Sequence, residues 1–284
     1  MNATPRCSDL SARAQESLGA TATTAEHWLL VEVPGTWPRD VSDGSGLPDP
    51  ARHAVRSWLE NTPSSRLQYL RRPGSGRDKP RVAFVVHAAE ARTEVRRIEL
   101  TALEELAVLD LSRAGEVTDA QLVLVCGHGT RDQCCALRGN AVYGSLSARL
   151  GPEELWFSSH QGGHRFAANV LMLPAGVQFG RVAPDDAPYV VARALAGRVV
   201  IDRYRGRTAY AQGVQAAERA VREAEGLDAI ADLRLIGVDG DRVRLRTWDG
   251  REHLAEVHEV VGPVVPASCG ADAAPQAGFS ARLL

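Results

Sequence analysis

The stretch from Gln121 to Asn169 constrains this chain more than any other. It opens on an apolar run, Gln121-Leu-Val-Leu-Val, and breaks into Cys126-Gly-His-Gly-Thr-Arg-Asp-Gln-Cys-Cys135. After a helical segment it reaches Ser159-His-Gln-Gly-Gly-His-Arg-Phe-Ala-Ala-Asn169. Three of the five cysteines and three of the eight histidines fall within these 49 residues. Soft metal ligands this dense, set around the ends of strands and loops, are the strongest chemical signal in the sequence.

The rest of the composition narrows the setting. At 284 residues and 44% hydrophobic, the chain can bury a substantial core as one large domain or two ordinary ones. A formal net charge of −2 and a pI near 6.5 give no basic footprint for nucleic acid and no polybasic membrane patch. No apolar run approaches the roughly 20 residues that span a bilayer. The start, Met1-Asn-Ala-Thr-Pro-Arg-Cys-Ser-Asp, lacks the hydrophobic segment of a secretory signal. Five cysteines, an odd number and mostly scattered, fit thiols or a metal site in a reducing compartment better than a disulfide framework. The expectation is a soluble cytoplasmic protein that binds neither nucleic acid nor membrane.

Periodicity supplies the elements. Ser8–Leu18 reads as a short helix, Trp28–Val33 as a strand ended by Pro34-Gly35, and 51–60 as a helix through Val55, Trp58 and Leu59. Weaker strands follow at 66–70, 81–87 and 95–100, with the loop Arg72–Pro80 between the first two. The second half repeats this order: strand 121–125, helix 132–150 stopped by Gly151-Pro152, strand 154–158, strands 170–173 and 177–181, and helix 188–196. That order predicts an α/β fold, a layer of sheet and helices of the thioredoxin-like kind. Leu29-Leu-Val-Glu-Val-Pro-Gly-Thr-Trp-Pro-Arg-Asp40 echoes Leu122-Val-Leu-Val-Cys-Gly-His-Gly-Thr-Arg-Asp132, so the halves read as two tandem units, the first without ligands. Beyond them, 208–225 has the spacing of an amphipathic helix with Glu218 and Arg222 paired on it. Two Asp-Gly turns then separate strands 233–238, 243–247 and 253–261 in a β-meander, and the segment from Ser268 reads as loop or tail. The expected division is 1–115, 116–202 for the unit carrying the ligands, and 203–284.

Cys126 and Cys135 enclose eight residues, and His160 and His164 enclose three. This Cys-x8-Cys with His-x-Gly-Gly-His resembles the sucrase/ferredoxin-like family, a branch of the thioredoxin-like [2Fe–2S] ferredoxins. The resemblance is densest over 121–182, and Cys7-Ser-Asp, Trp28-Leu-Leu-Val-Glu-Val-Pro-Gly and Ser268-Cys-Gly are similar to family sequence as well. It implies a [2Fe–2S] cluster with Cys126 and Cys135 on one iron and His160 and His164 on the other. It also selects Cys135 over Cys134; by geometry alone either would do, but neighbours on a helix point about 100° apart and only one can face the site. The residues fit that implication. A [2Fe–2S] cluster needs four soft or borderline protein ligands, and two imidazoles in place of two thiolates raise its potential. Gly162-Gly163 permits a tight turn between the histidines.

The implied role is one-electron transfer or redox sensing with a redox partner protein, rather than catalysis on a substrate of its own; a homodimer is compatible with the resemblance. Two alternatives use the same residues: a structural zinc protein of the Cys2His2 type, and a thiol oxidoreductase with Cys134 or Cys135 as nucleophile. Cys134 reads as a packed, inert thiol, and His128 as a supporting or surface residue, because no Cys-x-x-His box completes a Rieske site with Cys126-Gly-His128. Arg131 and Asp132 read as a local ion pair with Asp132 as helix cap, and Arg165 as a neighbour of the site or a solvated residue. His27, His53, His87, His253 and His258 look isolated, and nothing in the spacing demands that Cys7 and Cys269 meet. Glu153 and Glu154, adjacent on a strand, would face opposite sides, which gives glycoside cleavage no support.

Overall fold

A computed structural model of the chain describes residues 5–73 and 80–284. The first residues of the chain start and most of the loop 72–80 lie outside them. Ten strands form one sheet in the order β10-β9-β8-β6-β7-β2-β1-β3-β4-β5. Its first half comprises β1 (His27–Glu32), helix α2 (Asp49–Asn61), β2 (Ser65–Arg71), β3 (Arg81–Ala88), β4 (Thr93–Leu100) and the short edge strand β5 (Glu116–Thr118). Its second half comprises β6 (Leu122–Cys126), helix α3 (Gln133–Ser147), β7 (Leu155–Ser158), β8 (Val170–Leu173), β9 (Val177–Phe179), helix α4 (Ala187–Leu195) and β10 (Tyr204–Arg207). A short helix, α1 (Cys7–Arg13), precedes them.

The halves share one arrangement. β1 runs parallel to β2 and antiparallel to β3, which pairs with β4. β6 likewise runs parallel to β7 and antiparallel to β8, which pairs with β9. This is the layered order expected of a thioredoxin-like unit. The halves join where β2 meets β7 antiparallel, at Leu70–Ser158 and Arg71–Phe157. β1 and β6 are central in their halves and nearly every residue of both is buried, which is why they read as continuous apolar runs rather than alternating ones.

After the sheet comes α5 (Gln212–Glu225), then a second, four-stranded sheet of β11 (Leu233–Asp239), β12 (Arg242–Thr247), β13 (Glu252–Pro266) and β14 (Ala273–Leu283). The meander is as expected, with two corrections. The segment after Ser268 is not a tail: β14 pairs with β13 along its length. Its Ala, Gly and Pro residues carry little β-propensity, so pairing with β13 decides its conformation. Residues 204–207 do not open the C-terminal extension; they form the edge strand β10 of the large sheet. No helix among the described residues is long and apolar enough to cross a membrane.

Candidate metal centre

Cys126 is the last residue of β6, fully buried, where the strand leaves the sheet. The loop after it closes on Asp132, which caps α3 by accepting the Cys134 N–H at 2.8 Å. Cys135 lies in the first turn of that helix, and Gly139 follows one turn later on the same face. A Cβ on Gly139 would fall 2.1 Å from the Cys126 carbonyl oxygen. Glycine at 139 therefore lets α3 lie directly on the end of β6, and Cys135, four residues back, is turned toward Cys126. Cys134, the next residue round the helix, faces elsewhere.

The histidines come from the turn after β7. Gly162 and Gly163 both have positive φ, +86° and +67°. The left-handed pair reverses the chain so that the rings of His160 and His164 stack, with centroids 4.3 Å apart. The turn is fastened at several points. The Gln161 side-chain amide donates to Leu124 O at 2.8 Å, and Gln178 donates to Gln161 O at 3.1 Å. Gln68 donates to His160 O at 3.2 Å, and Arg205 to Gly162 O at 3.0 Å. His128 accepts the His160 N–H on Nδ1 at 3.1 Å, so its Nε2 carries the proton donated to Pro38 O at 2.8 Å. Both ring nitrogens of His128 are thereby used in holding the turn.

Together these elements place the sulfurs of Cys126 and Cys135 and a ring nitrogen of His160 within 4.8 Å of one another, with His164 stacked alongside. The Nδ1 atoms of His160 and His164 are buried with no hydrogen-bond partner among the described residues. Cys126 is held well below the usual thiol range, first by the Cys135 thiol donating to it and then by His160 and the Gln161 N–H, against its burial. Cys135 moves the opposite way, because it donates to Cys126 and is itself buried. Burial pushes the His164 imidazole down to about 4, with His160 adding to the effect, so it is neutral at pH 7 and its lone pair is free. Burial also pulls the guanidinium of Arg205 below its usual value, while the charges of Cys126 and Cys135 pull it back. Arg66 is lowered by burial as well. A cavity of about 400 Å³ reaches His160 from outside, lined among others by Arg39, Arg66, His128 and Arg131.

Several residues sit differently from their sequence reading. Arg131 pairs with Asp40 at 3.8 Å rather than with Asp132. Arg165 turns away from the centre to bond Glu16 at 2.7 Å. His27 and His87 are not isolated but stack at 4.5 Å across β1 and β3. Cys134 is buried and packed, as its sequence reading has it, but beside other thiols: its sulfur lies 3.5 Å from that of Cys7 and 3.2 Å from that of Cys269. Arg205, with Asn169 accepting from it at 2.9 Å, and Gly139 were missed. A buried arginine on an edge strand and a mid-helix glycine carry no chemical label until the fold sets them beside the cysteines.

A layered α/β sheet whose second half gathers thiols and imidazoles at its strand ends defines a class of soft-ligand protein. The chain belongs to the sucrase/ferredoxin-like family, whose model matches residues 18–206. Among curated proteins it is similar to "Altered inheritance of mitochondria protein 32" of three yeasts. That of Meyerozyma guilliermondii is 36% identical over 101 residues, 32% of this chain and 36% of the yeast protein. Those of Clavispora lusitaniae and Debaryomyces hansenii are 34% and 32% identical over 95 residues, about 30% of this chain and 35% of each relative. The chain thus spans about a third of the length of the curated relatives it matches.

Proposed function

We propose that the chain is a [2Fe–2S] protein for one-electron transfer or redox sensing, with Cys126, Cys135, His160 and His164 as ligands. The observation that carries this reading is the donor set: two buried thiols, one already disposed to ionise, beside His160 with His164 stacked on it, both imidazoles having a buried Nδ1 without a partner among the described residues. Unpaired buried nitrogens cost free energy, and ligation to a metal satisfies them. Bound there, the cluster would supply reversible one-electron transfer.

The surrounding residues do the rest. Arg205 and Arg66 set positive charge near the thiolates, which favours the reduced, more negative state. His128, Gln68 and Gln161 fix the histidine turn, so that ligand positions change little between charge states. An imidazole holding the cluster through one ring nitrogen would keep the other for a proton, so reduction and protonation would be linked. The family name and the ferredoxin-like sequence motif support the reading without reaching the cluster type.

One observation favours a second reading. Three ligand atoms within 4.8 Å of one another, from Cys126, Cys135 and His160, also suit a single zinc ion. Anaerobic purification followed by iron, sulfide and zinc analysis, with EPR of the reduced protein, separates them. The cluster reading expects a coloured protein with about two irons and two sulfides per chain. A colourless protein whose zinc disappears in Cys126→Ser would establish the second.

A further inference from the structure

A second group of soft ligands stands apart from the first. Cys7 begins α1, Asp132 and Cys134 lie at the start of α3, and Cys269 lies in the turn between β13 and β14. Their ligand atoms all fall within 4.8 Å of one another. The sulfurs are 3.5 Å apart for Cys7–Cys134, 3.6 Å for Cys7–Cys269 and 3.2 Å for Cys134–Cys269, and the Asp132 Oδ2 is 4.0 Å from the Cys7 sulfur. All five cysteines of the chain are free thiols. We propose that Cys7, Cys134, Cys269 and Asp132 form a structural zinc site that clasps α1 and the turn between β13 and β14 to helix α3.

The spacing fits one ion. Zinc–sulfur bonds of about 2.3 Å in a tetrahedron put sulfurs about 3.8 Å apart, close to the three separations here. A four-iron cluster binds one ligand on each of four irons and would hold the sulfurs farther from one another. Three thiolates alone also suit copper(I), but the fourth group is a carboxylate, a hard oxygen donor that suits zinc.

The surroundings are those of a thiolate site. Asp132 is oriented by two backbone donors, the N–H of Cys134 on Oδ1 and that of Cys269 on Oδ2, each at 2.8 Å. Cys7, Cys134 and Asp132 are buried, and Cys7, Asp132 and Cys269 line a cavity of about 830 Å³ that gives an ion access. Three ionisable thiols and a carboxylate in so small a space would repel one another once charged, and a divalent cation removes that cost. The site does not rest on the two-cysteine, two-histidine centre: Cys134 and Cys135 are neighbours in sequence but point about 100° apart on α3, each toward its own group.

The test is metal analysis of the full chain isolated without chelator under anaerobic conditions, as wild type, Cys269→Ser and Cys126→Ser. The proposal expects about one zinc per chain in wild type, retained in Cys126→Ser and lost in Cys269→Ser, which keeps its iron. Cobalt(II) added to metal-free wild-type protein should give intense thiolate-to-cobalt absorption, a readout that needs no variant. Wild type without zinc, zinc lost in Cys126→Ser but kept in Cys269→Ser, copper in place of zinc, or an intact mass showing a disulfide among the three cysteines would overturn it. Iron and sulfide are counted separately, so failure of the cluster reading leaves this outcome legible.

Discussion

Gly139 shows how narrow the centre's tolerances are. With a Cβ there, the first atom met is the Cys126 carbonyl oxygen at 2.1 Å, a backbone atom that cannot swing away. Gly139→Ala must push α3 off the end of β6 and carry Cys135 with it, although alanine is the better helix former by about 1 kcal/mol. The expected outcome is a folded protein by circular dichroism that has lost most of its visible absorption; full retention would show that α3 is not fixed by this contact. His164 gives a pH dependence. Its folded value is about 4 against an ordinary 6.5, so the unfolded chain binds more protons between the two. The contribution of its neutral form is fully present above about 6.5 and erodes as pH falls toward 4. Urea midpoints of the metal-free protein should therefore drop across that window, and His164→Gln should flatten the drop. That Cys126, Cys135, His160 and His164 would be brought together was legible in the sequence, because their residue types mark soft ligands and the family resemblance chooses Cys135 over Cys134. The neighbours of Cys134 were not legible, because Cys7 and Cys269 lie more than a hundred residues away on either side and spacing says nothing of such meetings.

Helix α5 illustrates the same limit at the level of an element. Its amphipathic spacing was plain, and so was the pairing of Glu218 with Arg222 four residues on. On an exposed face such a pair contributes about 0.2–0.5 kcal/mol. Here both side chains are fully buried, and Glu218 also accepts from Arg207 at 2.9 Å and from the Tyr204 hydroxyl at 3.0 Å. The helix is covered by β10 on one side and by the small sheet on the other, which periodicity cannot reveal. Glu218→Gln would leave Arg222 buried without its counter-charge and Arg207 with only the more distant Glu90 at 3.9 Å, so it should cost on the order of 3–5 kcal/mol in urea unfolding. A loss under 1 kcal/mol would mean that water reaches the network. The strands β10 and β14 were missed for a related reason: pairing with a longer neighbour makes them strands, not their own composition.

For the whole molecule, the shared arrangement of the two halves explains the echo between Leu29–Asp40 and Leu122–Asp132. In the first half the loop after β1 holds no ligands and instead covers the other half's centre. Pro38 O accepts from His128, and Trp37 O accepts from Thr130 at 2.8 Å. Thr23, Gln68 and Arg205 reach the histidine turn from outside 116–202 as well. A fragment of residues 116–202 would lose these supports and also bare the edges of β7 and β9, which pair with β2 and β10. It should bind at most a small fraction of the iron held by the full chain; equal iron per fragment would show that the second half is self-sufficient.

The most direct measurement is the iron and acid-labile sulfide content of the anaerobically isolated chain, taken beside Cys135→Ser. Four ligands at Cys126, Cys135, His160 and His164 predict about two of each per wild-type chain and almost none in the variant. A wild-type chain without sulfide, or a Cys135→Ser chain with both undiminished, would contradict the assignment.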